Sequence, residues 1–161
     1  MGKVGIRVVH QLMQMNPRPR IVGVRLPGDE ATLVRKILPL ENVTIVEGDA
    51  RNPEVLAQAG LERAYSVVAV TSDDLINLQI GLAARHARPT VYLVLRTFSD
   101  VLAERLTEMF GIRTTCNTSA LAGPTLAAAS LVSGVRHAFY AGIQLFTAAN
   151  ITLKTGGAGA D

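Results

Sequence analysis

Short apolar runs rich in β-branched residues alternate along this chain with segments in which apolar residues recur at helical spacing. Residues 43–46 and 67–70 are two such runs, apolar without strict alternation, as expected of parallel strands covered on both faces. Between them Asn52 is placed to cap a helix, Pro53 occupies its first position, and Gly60 stands where a helix ends in the left-handed conformation. The stretch therefore predicts a strand–helix–strand unit. The same alternation extends both ways. A helix over 3–15 puts Val8, Val9, Leu12 and Met13 on one stripe and ends at Asn16-Pro17, and a strand over 20–24 follows. A capped helix over 29–38 turns Val34, Ile37 and Leu38 inward before Pro39. Beyond residue 70 come a helix over 74–86, a strand over 90–95, a helix capped by Ser99 or Asp100 and closed by Gly111, a strand over 112–116, and an Ala-rich helix from Ala120. This order predicts an α/β fold with a doubly wound parallel sheet.

Two helices stand out. The helix over 74–86 carries Leu75, Ile76, Leu78, Ile80, Leu82 and Ala83, apolar nearly all round, which implies a second covering surface beyond one sheet face. Residues 120–132 are apolar but interrupted by Gly123, Pro124 and Ser130, and are shorter than the ~18 uninterrupted apolar residues of a membrane span. They predict a buried helix. Hydrophobic residues make up 48% of the 161-residue chain, enough for a core without staples. One cysteine, Cys116, excludes an internal disulfide and suits a reducing compartment, and no secretory signal is expected at the N-terminus. A net charge of +3 with 4% aromatics and no Trp argues against a nucleic-acid binder, which needs clustered phosphate neutralisation or stacking platforms.

The candidate chemistry lies at strand ends. Gly48-Asp49-Ala50 and Thr71-Ser72-Asp73-Asp74 fall at the carboxyl ends of neighbouring strands, the edge where open α/β sheets bind ligands. Asp49 is either a ligand contact or a simple turn residue, Thr71 a contact to phosphate or ribose, and Asp73 the cap of the next helix. Arg96 ends a later strand with the fork geometry that suits phosphate. Met1-Gly2-Lys3-Val4-Gly5 matches the last five residues of a Gly-x-Gly-x-x-Gly fingerprint, whose backbone N–H groups and helix dipole hold a pyrophosphate. Its first glycine and the strand before it are missing. Arg25 stands where such folds place an acidic ribose ligand. It can pair with a phosphate but cannot accept from a hydroxyl, which leaves Asp29 or Glu30 as substitutes. No Tyr is followed four residues later by Lys, and no His-x-x-x-His, Cys-x-x-Cys or Gly-x-Ser-x-Gly spacing occurs, so no catalytic or metal site is expected.

The stretch GDARNPEVLAQAGLERAYSVVAVTSDDLINLQI, with its Gly-Asp-Ala, Pro, Ala-Gly and Thr-x-Asp-Asp followed by Asn77, resembles the nucleotide-binding lobe of the RCK domains, also called KTN or TrkA-N domains. The resemblance runs from about residue 1 to 119. It implies a Rossmann-like sheet lacking its first strand here, with the lobe over 1–133 and a connection or following lobe over 134–161. It also implies a cofactor held by Gly2, Lys3, Val4, Arg25, Asp49, Ala50, Thr71 and Arg96, with Asp49 at the adenine edge. The cofactor would be NAD(H), with NADP(H) or ATP, ADP or AMP as alternatives because Arg25 replaces the acidic residue. The implied role is a non-enzymatic regulator of potassium transport. It would form a homo-oligomer through helices 74–86 and 120–133 and act on a potassium channel or transporter subunit from the cytoplasmic face of the membrane. A dinucleotide-binding fragment of an NAD(P)-dependent oxidoreductase is the alternative. Loss of a central strand would leave unpaired backbone groups inside the sheet, so something must fill the slot: either the chain is a fragment or has a misplaced start, or a segment from elsewhere inserts there. Residues 150–154, running into Gly156-Gly157, are a candidate; otherwise they begin the next lobe or the chain is one piece of a longer protein.

Overall fold

The structure, a computed structural model, describes residues 2–28, 37, 39–110, 112 and 115–149. The chain forms two compact units, Met1–Cys116 and Asn117–Asp161.

In the first unit, helix α1 (Lys3–Leu12) leads to strand β1 (Ile21–Arg25), which pairs in parallel with β2 (Val43–Glu47). Ile6 and Val9 of α1 and Met13 at its C-cap reach the core, where they pack with Ile37 and Val43. Val8 and Leu12, expected on the same stripe, are only half-buried, because the face toward β1 and β2 is rotated to include Ile6. Helix α2 (Pro53–Gln58) begins as predicted: the Asn52 side chain accepts from the Glu54 N–H at 2.9 Å, and Pro53 sits at the first turn. Gly60 is left-handed at φ 80°, and a 3-10 turn, Leu61–Arg63, carries the chain to β3 (Ser66–Ala69). Helix α3 (Asp74–Ala87), strand β4 (Tyr92–Thr97), helix α4 (Asp100–Phe110) and strand β5 (Thr115–Asn117) complete the alternation. Ser99 rather than Asp100 caps α4, its Oγ accepting from the Leu102 N–H at 3.3 Å. The helix expected over 29–38 lies outside the described residues except Ile37, as do its capping signals, the Gly111 stop and the candidate strand over 150–154.

The α/β alternation and parallel pairing are those expected of a doubly wound sheet. The strands nevertheless form two sheets, β1-β2 and β3-β4-β5, and among the described residues no ladder joins β1 to β3. Each sheet has its own core. One is Ile6, Val9, Met13, Ile37 and Val43; the other is centred on Leu56, Ala69, Ile80, Ala84, Leu93, Leu95 and Leu106. The division falls at the slot where a further strand is expected from the family resemblance, and among the described residues β1 does not close on β3.

Helix α3 buries Asn77, Ile80, Gly81 and Ala84 against the second sheet. At Gly81 the approach is close: a Cβ there would meet the Leu95 methyls at 3.0 and 3.1 Å. The opposite side of α3 leaves Leu75 61% exposed, so one sheet face does not cover the apolar girth that the sequence implies.

The second unit holds helix α5 (Thr118–Leu131) and an antiparallel hairpin of β6 (Val135–Ala141) and β7 (Gln144–Ala149) turning at Gly142-Ile143. Asn117 caps α5 by accepting from the Ser119 and Ala120 N–H groups. Thr125 joins helix to hairpin, its Oγ1 accepting from the Ala138 N–H at 2.9 Å and donating to the Ala138 carbonyl at 3.1 Å. The expectation of a buried helix at 120–132 does not hold. Ala128 is its one buried residue, while Leu121, Leu126 and Leu131 are exposed, because apolar residues spread round the helix and only one face meets the hairpin.

Candidate functional site

The loops that follow β2, β3 and β4 converge. After β2, the Gly48 N–H donates to the Arg25 carbonyl at 2.8 Å, which ties the loop to the end of β1. A Cβ on Gly48 would lie 2.6 and 2.9 Å from the two Val55 methyls, so the loop rests directly on helix α2. Asp49 then turns back on Arg51. Its carboxylate accepts from the Arg51 backbone N–H at 2.9 Å, from Nε at 3.0 Å on both oxygens, and from Nη2 at 2.5 Å. The far side of the guanidinium, Nη1, donates to Gln79 Oε1 on α3 at 3.3 Å, which links this loop to the second sheet. Ala50, the expected small wall, packs against the core of that sheet.

After β3, the chain is fixed by Asn77, a polar residue 1% exposed on the inner face of α3. Its Oδ1 accepts from the Thr71 N–H at 2.8 Å, and its Nδ2 donates to the Thr71 carbonyl at 3.3 Å and to the Arg96 carbonyl at 3.1 Å. One amide thus holds the ends of β3 and β4 together. The Thr71 hydroxyl is engaged locally, accepting from the Asp73 N–H and donating to the Asp73 carbonyl. Asp73 is the helix cap that its position predicts, accepting from the Ile76 N–H at 3.0 Å.

At the end of β4, Arg96 Nη1 donates to the Thr71 carbonyl at 3.2 Å, and the guanidinium lies 4.2 Å over the Phe98 ring. Phe98 is held in turn by its N–H, which donates to both Asp74 carboxylate oxygens at 3.1 and 2.9 Å. Arg96 Nε is buried without a hydrogen-bond partner. A buried cationic donor lacking an acceptor is costly, and an anion at this rim would supply what it lacks.

The remaining sequence-derived residues lie on other elements. Gly2 is the N-cap of α1, extended at φ −88° and ψ −177°, with open space where a Cβ would be; Lys3 and Val4 form the first turn. The first turn of α1 carries no acidic residue, and its N-cap glycine offers no side-chain cap, so among the described residues nothing competes with an anion for this end of the helix dipole. Arg25 is not solvated: its side chain is 16% exposed and pairs with Glu47, its register partner on β2. Sequence reasoning did not find Arg51, Gln79 or Phe98. The Asp-x-Arg spacing of 49 and 51 was the one signal for the first; the others depend on which loops meet.

The Arg51 side-chain hydrogen bonds, followed by its backbone N–H, hold Asp49 below the ordinary aspartate range against a smaller upward pull from desolvation. A carboxylate depressed in the folded state stabilises the fold above its unfolded pKa, and that contribution is lost as pH falls through the folded pKa. Carboxyl NMR titration should therefore give Asp49 a midpoint below that of a free aspartate, and Arg51→Ala should raise it. An unshifted midpoint in the parent chain would show that the pair does not form in solution.

The TrkA-N domain model matches residues 1–118. The chain belongs to the TrkA-N domain family. This TrkA-N chain is 25% identical over 115 residues to Potassium channel protein 1 of Methanocaldococcus jannaschii, a match covering 71% of this chain and 33% of that protein. It is 28% identical over 92 residues to the voltage-gated potassium channel Kch of Escherichia coli, covering 56% and 22% of the two chains. With the Trk system potassium uptake protein TrkA homolog of Archaeoglobus fulgidus it shares 33% identity over 84 residues, 52% of this chain and 18% of that one. The matches thus span a third or less of each of these relatives. Among solved structures, the NAD(P)-binding domain of an exopolyphosphatase-related protein from Archaeoglobus fulgidus superposes with a TM-score of 0.62 at 20% identity, covering 79% of this chain and 90% of that one. That likeness establishes the Rossmann-like fold of the TrkA-N domain. Among the described residues no helix is long and apolar enough to cross a membrane.

Proposed function

We propose that this TrkA-N domain is a nucleotide-binding regulatory domain of a potassium transport system, and that it takes a dinucleotide or adenine nucleotide at the carboxyl rim of β2, β3 and β4. The observation that carries the reading is Arg96 at the end of β4, donating to the Thr71 carbonyl, with its Nε buried and lacking an acceptor among the described residues, while the Asp49 loop is linked to the same sheet through Arg51 and Gln79. The residues present fit such a ligand. Arg96 and the uncapped first turn at Gly2, Lys3 and Val4 suit phosphates, Ala50 leaves room, and Asp49 offers the only carboxylate of the set to a ribose or base donor. NAD(H) is the first candidate. Because Arg25 stands in place of an acidic ribose ligand and already pairs with Glu47, NADP(H) and ATP, ADP or AMP are the ligands to compare with it.

The regulatory, non-catalytic role and the membrane partner rest on the relatives, which are named as potassium channels and a potassium uptake protein. In this reading the lobe runs to about residue 133 and 134–161 are a connection or the start of a following lobe, with α5 packed on the β6–β7 hairpin inside the Asn117–Asp161 unit. The exposed Leu75 on α3 and Leu121, Leu126 and Leu131 on α5 support assembly of copies through these two helices. In that arrangement, at the cytoplasmic face of the membrane, a nucleotide preferring one packing of the helices over another shifts the partner between states.

Titration of the chain with NADH, NADPH, ATP and AMP, by fluorescence and calorimetry, tests the site. Arg96→Ala is expected to weaken the tightest of them by about tenfold or more, the effect of losing a charged hydrogen bond to phosphate. Absence of binding by all four would overturn the reading, and hydride transfer to a small carbonyl substrate would replace it with the oxidoreductase alternative.

A further inference from the structure

Asp49 is the rim's proposed acceptor for a nucleotide, yet it is already occupied. A carboxylate has about four lone-pair directions. Arg51 takes up most of them from one residue with three donors, its backbone N–H at 2.9 Å, Nε shared at 3.0 Å between the two oxygens and Nη2 at 2.5 Å. Gln79 holds the guanidinium from the other side, at 3.3 Å from Nη1, so the fork is braced between the β2 loop and α3. The backbone bond belongs to the turn and survives any change of side chain. The three guanidinium contacts do not.

We propose that Arg51 is an intramolecular competitor for Asp49, closing that carboxylate in the empty domain so that a ribose hydroxyl or an adenine amine must displace the Arg51 fork to bind. This rests on the reading of the rim as a nucleotide site and adds to it the residue that sets affinity there. The side chains of the pair are 46% and 36% exposed, so water and salt screen them and the barrier to displacement is modest. Removing the fork relieves the ligand of that competition. A contact that helped the ligand would act with the opposite sign.

The test compares nucleotide affinity of the full chain with that of Arg51→Ala and Arg51→Gln, using NADH by fluorescence and ADP by calorimetry. Both variants are expected to bind about two- to five-fold more tightly, the range a screened surface pair supports. In an Asp49→Asn background the same Arg51 changes are expected to give no gain, because the acceptor being competed for is gone. Equal or weaker binding by both Arg51 variants, when the parent chain binds, overturns the competition and leaves the nucleotide site standing. Failure of parent and variants alike to bind removes the site reading and this inference with it.

Discussion

Replacing Asn77 with leucine is expected to destabilise the Met1–Cys116 unit by about 2–4 kcal/mol and to abolish nucleotide binding at the rim, although no atom of Asn77 need touch a ligand. Leucine keeps the branched heavy-atom skeleton of asparagine but is bulkier, so the substitution leaves no cavity, and any overpacking adds to the loss. What it removes is three hydrogen bonds from a residue 1% exposed. The Thr71 carbonyl retains Arg96 Nη1 as a donor. The Thr71 N–H and the Arg96 carbonyl, both on half-buried residues, keep no replacement from Asn77, and each group so stranded costs up to about 1–3 kcal/mol, partly offset by burying leucine in place of an amide. The loss is also localised. Amide exchange at Thr71 should accelerate far more than at Leu93 or Leu95, deeper in the same sheet. A urea transition shifted to lower midpoint with unchanged slope would give the stability term. Stability equal to the parent, with Thr71 still protected, would mean that the amide is not what joins β3 to β4.

The part of this architecture that can be read from sequence is the part fixed by local chemistry. Asn52, Pro53 and Gly60 each act within a few residues, so the bounds of α2 and its left-handed exit follow from side-chain capping and backbone sterics alone. Asp73 is legible for the same reason. The family resemblance supplied the positions of Asp49, Thr71 and Arg96, but not their partners. Asn77 serves Thr71 six residues back and Arg96 nineteen residues on, and that pairing exists only once β4 lies beside β3. Arg51 is not legible in this way, because two residues of spacing say nothing of whether a loop curls its arginine onto its aspartate. The hairpin over 135–149 did carry a signal, a Gly-x pair at 142–143 between two strand-forming runs, which suits a two-residue turn. The exposure of α5 carried none: an Ala-rich, apolar segment reads as interior whenever its surroundings are unknown, and only one face has a partner in its unit. The split into two sheets falls between β1 and β3, where the resemblance implies a further strand, and a local pattern says less about which strands pair than about where each one lies.

Gly48→Ala is the second large effect expected, and its origin can be separated from loop flexibility. The added methyl would stand 2.6 and 2.9 Å from the Val55 methyl carbons, inside any ordinary contact, and Val55 is a β-branched residue of α2 with little rotamer freedom to yield. Either α2 moves away from the end of β2 or the loop lifts. Both disturb Asp49, the next residue, and the Gly48 N–H bond to the Arg25 carbonyl. Overpacking of this kind costs about 1–3 kcal/mol, and binding at the rim should weaken with it. Val55→Ala removes both offending methyls. Alone it should destabilise modestly by loss of packing, but combined with Gly48→Ala it should recover most of the stability and nucleotide affinity that Gly48→Ala loses. A strictly additive double variant would show that no clash had been relieved, and that Gly48 matters instead for the backbone conformation only glycine allows there. Recovery would show that the rim is positioned by direct seating of its loop on a two-turn helix, whose own start is set by Asn52 and Pro53. Gly48, Asn52 and Pro53 would then together place the Asp49 carboxylate.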